Sequence, residues 1–137
     1  MGEDATPARF LPVPWLTQPP QRLLASPAML ISEYQELSRR TATYPDAGDN
    51  IVYPTLGLAG EAGEVSEKVK KLLRDDGGLM SDERREALAG ELGDVLWYVA
   101  QVATEAGLDL QEIAQGNLDK LLSRQRRGVL SGSGDSR

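Results

Sequence analysis

An all-α fold is what this sequence predicts, and three observations carry the expectation. Beyond Pro27, apolar residues recur three or four positions apart, the period of a helix with one buried face. Residues that start and stop helices cut that stretch into four segments. No segment of useful length alternates apolar and polar side chains as a half-buried strand would. At 137 residues the chain has the length of one domain.

Residues 1–27 hold six of the eight prolines (Pro7, Pro12, Pro14, Pro19, Pro20 and Pro27). Each fixes φ and lacks an N–H donor, so this stretch is expected to be an extended arm. Its Phe10, Val13, Trp15 and Leu16 could dock on the folded body or on a partner subunit; an unstructured leader suits the composition equally. A first helix is expected over roughly 28–43, with Leu30, Tyr34, Leu37 and Thr41 on its inner face. Tyr44-Pro45 and residues 46–50 form a loop. The second helix opens near Tyr53-Pro54, where proline is tolerated in a first turn, and runs to about Arg74.

Asp75-Asp76-Gly77-Gly78 reads as a turn. Ser81 is an N-cap for the third helix, with Asp82 and Glu83 at its positive end, and Gly107 stops it. Asp109 with Glu112 resembles a capping box for a fourth helix ending near Arg127. The expected organisation is an arm (1–27), a helical domain (28–127) and a flexible Gly/Ser-rich tail (128–137).

The chain has 15 Lys+Arg against 21 Asp+Glu, net −6, with no Cys and no His. That balance argues against general nucleic-acid binding, which wants a basic face. Without Cys or His there are no disulfides, no thiolate or imidazole zinc sites, and no Ser–His or Cys nucleophile. Any metal must be held by oxygen, which selects Mg²⁺, Mn²⁺ or Ca²⁺. No apolar run approaches a membrane span and no signal-peptide core is visible, so a cytoplasmic protein is expected.

The chemistry concentrates in two acidic pairs, Glu61/Glu64 and Glu91/Asp94, each at i,i+3 spacing and so on one helix face. One such pair is ordinarily a solvated face. Here two pairs occur on consecutive helices joined by a turn, which makes the helices antiparallel neighbours. Apolar residues flank both: Leu56, Leu58 and Val65 around the first, Leu88, Leu92, Val95 and Leu96 around the second. Four carboxylates in one cleft repel and resist ionisation unless a cation lies between them.

Interior glycines Gly57, Gly60 and Gly63, then Gly90 and Gly93, cost about 1 kcal/mol each relative to alanine. They are expected to allow close helix approach or a ligand against bare backbone. Trp97 and Tyr98 follow Asp94 by three and four residues, so at least one lies near the acidic face, as core or as a pocket wall. Lys68, one turn past Glu64, could pair with it or meet phosphate. Lys120 and Arg124 share a helix face with Asn117 and could take charge developing on a departing phosphate group; a solvated basic helix end is the plainer reading of both.

Three ordered elements carry a resemblance: Leu56-Gly57-Leu58-Ala59-Gly60-Glu61-Ala62-Gly63-Glu64-Val65-Ser66-Glu67, then Glu91-Leu92-Gly93-Asp94-Val95-Leu96-Trp97-Tyr98, then Asn117-Leu118-Asp119-Lys120-Leu121. Together, over about residues 30–127, they resemble the MazG-like all-α nucleoside triphosphate pyrophosphohydrolases. Glu33-Tyr34-Gln35 is similar to the family's opening. The resemblance implies a four-helix bundle and Mg²⁺-dependent cleavage, with Mn²⁺ as a substitute, of an NTP or dNTP into NMP and pyrophosphate. It implies Glu61, Glu64, Glu91 and Asp94 as metal ligands and Asn117 and Lys120 as substrate contacts. Many members carry a further Glu where this chain has Gly60, which leaves the base open between Glu61, Glu64 and water acidified by the cation.

A phosphoribosyl-ATP pyrophosphohydrolase is disfavoured, because those enzymes usually show a His after the second pair and this chain has none. The alternative from another class is a non-enzymatic helical interaction module with a structural divalent cation. A thin protomer core, together with the resemblance, also leads us to expect a homodimer or homotetramer.

Overall fold

The computed structural model describes residues 28–129, so the expected arm, with Phe10, Val13, Trp15 and Leu16, and the last eight residues of the tail lie outside the described residues. Four helices follow in order: α1 (Ile31–Arg39), α2 (Val52–Asp76), α3 (Asp82–Glu105) and α4 (Leu110–Arg126). No strand occurs among the described residues. The all-α expectation holds.

The long helices α2 and α3 make the main packing contact; α1 lies on α3, and α4 packs on α1. Local chemistry sets their ends. Pro54 sits buried in the first turn of α2, and the Tyr53 N–H there donates to Asn50 Oδ1 at 3.1 Å. α2 closes where Gly77 and Gly78 take φ of 59° and 84°, a left-handed pair only glycine adopts readily, and the Gly78 N–H donates to the Leu72 carbonyl at 3.0 Å. The Arg84 guanidinium then reaches back over the turn to Asp76 at 2.7 Å. Ser81 caps α3 by accepting from the Arg84 N–H at 3.2 Å. Asp109 caps α4 by accepting from Gln111 and Glu112 N–H at 2.7 and 3.1 Å.

Helix α1 corrects the sequence reading twice. It is shorter than 28–43, because residues 40–43 turn toward Tyr44-Pro45 and the residue before a proline resists helical backbone. Its inner face is also rotated: Tyr34 packs on the core as expected, but the other residues expected there do not. Leu30, Leu37 and Thr41 are exposed, whereas Ser38 is buried and Tyr34, Gln35 and Arg39 are half-buried. The reason lies on α3, whose inner face there is polar. Gln101, fully buried, donates to Ser38 Oγ at 3.2 Å and accepts from Arg39 Nη1 at 3.3 Å. Gln35 clasps the α3–α4 corner, donating to Thr104 Oγ1 (3.1 Å) and the Leu108 carbonyl (2.9 Å) and accepting from the Leu110 N–H (2.8 Å).

Glu105 ties down the α1–α2 loop. Its side chain, with no exposed surface, accepts from Tyr44 Oη (2.5 Å), Arg39 Nη1 (2.8 Å), the Gly48 N–H (2.9 Å) and the Asn50 N–H (3.0 Å). These bonds hold its carboxyl at about 2, the Tyr44 hydroxyl contributing most. The buried apolar set is small: Tyr44, Leu72, Ala100, Ala103 and Leu110. Leu56, Leu73, Leu92, Leu96, Leu118 and Leu122 all stay exposed. No helix among the described residues is long and apolar enough to cross a membrane.

Candidate metal centre

Because α2 and α3 pack along their length, the inward face of one meets that of the other, and the two acidic pairs share that seam. Oxygens of Glu61, Glu91 and Asp94 lie within 4.8 Å of one another. Glu61 and Glu91 are half-buried and Asp94 is exposed. Three of the four expected ligands therefore converge. Glu64 is exposed and stands outside this group, though its charge still acts on Glu61 and Lys68.

These donors fit a hard divalent cation. All are carboxylate oxygens, and donors on opposite sides of a Mg²⁺ are about 4.2 Å apart, twice the usual bond length. Small side-chain rotations bridge the difference from 4.8 Å. The electrostatics agree: partial burial, then the charges of Asp94, Glu91 and Glu64, push the Glu61 carboxyl above the ordinary carboxylate range. Lys68 already answers part of this charge. Its partner is Glu91 at 2.9 Å, not Glu64, and that bond chiefly raises its own proton affinity.

An aromatic row borders the carboxylates. Tyr53 stacks on Tyr44 with centroids 5.0 Å apart, Tyr44 meets the edge of Trp97, and Trp97 meets Tyr98 edge-on at 4.9 Å. Trp97 Nε1 donates to Thr41 Oγ1 at 2.7 Å. Burial, then Tyr53, Glu61 and Asp94, raise the Tyr98 hydroxyl, and burial, then Asp94, raise that of Tyr34. The glycine stripes divide between the two expected roles. Only Gly57, among the five, meets a neighbour; Gly60, Gly63, Gly90 and Gly93 have open space where a Cβ would stand.

α4 packs on α1 rather than along α2, so the structure does not draw Asn117, Lys120 or Arg124 into the carboxylate group. Asn117 and Lys120 are exposed and Arg124 is half-buried.

Comparison with known proteins gives this seam a context. Residues 54–129 match the model of the MazG nucleotide pyrophosphohydrolase domain, a span that includes both acidic pairs. The chain belongs to the MazG family. It is also similar to "Gene 37 protein" of Mycobacterium phage L5, 50% identical over 114 residues that cover 80% of this chain and all of that protein. No solved structure matches.

Within this MazG domain, sequence reasoning missed the knot around Glu105 and the buried Gln101. No local signal marks either, since their partners lie 55 to 66 residues away.

Proposed function

We propose that this protein hydrolyses nucleoside or deoxynucleoside triphosphates between the α and β phosphates, with Mg²⁺ as cofactor, to give NMP and pyrophosphate as a nucleotide-pool housekeeping activity. The observation that carries the reading is the convergence of Glu61, Glu91 and Asp94 from two helices of a MazG domain. Those three residues would hold the cation, with Glu64 as a fourth oxygen donor one turn along. When bound, the cation supplies charge neutralisation of the phosphates and acidifies a water.

The chain's own groups do the rest. Glu64, which stands outside the converged three and so is the less committed to the cation, and Glu61 are the two candidates to take a proton from the attacking water. Lys68 holds Glu91 in place at 2.9 Å and would supply a positive charge beside the carboxylates for a phosphate oxygen. Asn117, Lys120 and Arg124 enter as substrate contacts on the family resemblance alone. Exposed Leu56, Leu92, Leu96, Leu118 and Leu122 support a homodimer or homotetramer as the working form.

The test is incubation of the full chain with a panel of NTPs and dNTPs plus Mg²⁺, with products separated chromatographically. NMP with pyrophosphate is the expected outcome. NDP with orthophosphate would overturn the assignment of the bond cleaved.

A further inference from the structure

We propose that Gly57 and Tyr98 are positioning residues: the Tyr98 ring lies on the bare backbone of Gly57 and fixes the separation of α2 and α3 at the height of the carboxylates, so that Glu61 stays within reach of Glu91 and Asp94. The role of the cation in a reaction rests on the pyrophosphohydrolase reading; the contact and its effect on cation affinity do not.

The contact is singular among the seam's glycines. A Cβ at Gly57 would stand 2.1 Å from Tyr98 Cε1, 2.3 Å from Cζ and 2.7 Å from Cδ1. Carbon atoms settle at about 3.5–4.0 Å, so a methyl group there forces a displacement of more than about 1 Å. Gly60, Gly63, Gly90 and Gly93 would accept a methyl into open space. Position matters as much as closeness. Gly57 is one helical turn before Glu61 and Tyr98 one turn after Asp94, so this layer adjoins the carboxylates directly. The Tyr98 hydroxyl accordingly feels the charges of both Glu61 and Asp94.

The ring has little freedom to retreat. Trp97 stands edge-on against it, with centroids 4.9 Å apart and planes at 90°. Trp97 is in turn held by its bond to Thr41 Oγ1 and by its contact with Tyr44, whose hydroxyl is fixed on Glu105. A methyl at position 57 is therefore relieved by moving α2 off α3, which carries Glu61 away from the other two ligands. Losing an outer-shell support of a metal site costs roughly 10–100-fold in affinity.

The experiment titrates Mn²⁺ into the full chain and follows free Mn²⁺ by electron paramagnetic resonance, with helicity checked by circular dichroism. Gly57→Ala is expected to weaken binding about tenfold or more while the protein remains helical, and Gly63→Ala to leave affinity unchanged. Tyr98→Phe keeps the ring and should bind as wild type; Tyr98→Ala should bind more weakly. The double variant Gly57→Ala/Tyr98→Ala should recover part of the affinity lost by Gly57→Ala, because the methyl enters the space the ring vacates. A merely structural contact would lower stability without this recovery. Wild-type affinity in Gly57→Ala, or a Phe variant as defective as the Ala variant, overturns the inference. Should Gly57→Ala not fold, the Phe and Ala variants at Tyr98 decide it alone. Equal Mn²⁺ binding by wild type and Gly57→Ala in an active pyrophosphohydrolase overturns this inference only; no Mn²⁺ affinity in wild type overturns it together with the cation site.

Discussion

At the scale of single residues, Glu61 and Glu105 are carboxylates pushed in opposite directions. Glu61 holds its proton more tightly than usual, so the stability tied to it is present below its unfolded value and lost as pH rises through the higher folded one. The charges of Asp94, Glu91 and Glu64 disfavour its ionised form. Glu61→Gln is therefore expected to raise the Tm of the cation-free protein at pH 7 while lowering turnover at least about 100-fold, the upper end of what an outer-shell partner alone costs. Glu91 offers a poorer version of that test, since its removal also forfeits the Lys68 ion pair.

Glu105 shows the reverse. Its carboxyl is held down to about 2 from 4.5, so its contribution is full above 4.5 and drains away as pH falls toward 2. Thermal melts of wild type should drop across that window. Glu105→Gln should melt lower at neutral pH and vary less below 4.5.

Helix ends were legible in the sequence because caps are local. Ser81, Gly77, Gly107 and Asp109 act within a few residues of where they stand. Ser81→Ala and Asp109→Ala are each expected to cost about 1 kcal/mol in chemical denaturation. The inner face of α1 was not legible, because an apolar stripe is only a preference until a neighbour is known. Gln101 and Glu105, more than 60 residues on, select Ser38 and Arg39 instead of Leu37. The same division holds for the site. Spacing put each acidic pair on one face, and the tight turn after α2 put the faces together, but nothing in the spacing separated Glu64 from the converged three. Of the two reasons offered for the interior glycines, close helix approach holds at Gly57, and the open space at Gly60, Gly63, Gly90 and Gly93 leaves a ligand against bare backbone as the other. Gly116→Ala on α4, with open space at its Cβ, should stabilise the protein by roughly 0.5–1 kcal/mol in the same assay.

For the whole molecule, the balance between buried and exposed apolar surface governs behaviour in solution. A few small or single residues form the buried core, while α2, α3 and α4 each keep large aliphatic side chains exposed. Exposed aliphatic side chains in this number suit the proposed association with a second copy of the chain. Sedimentation at micromolar concentration should give a dimer or larger species; a monomer would contradict the expectation. On the proposed reading a polyanionic substrate approaches a protein of net charge −6, which makes the proposed cation doubly consequential.

The most direct measurement is an anomalous difference map from crystals soaked in Mn²⁺. A peak bounded by carboxylate oxygens of Glu61, Glu91 and Asp94 is the predicted result. Those side chains turned apart, with the scattering elsewhere or absent, would contradict the account.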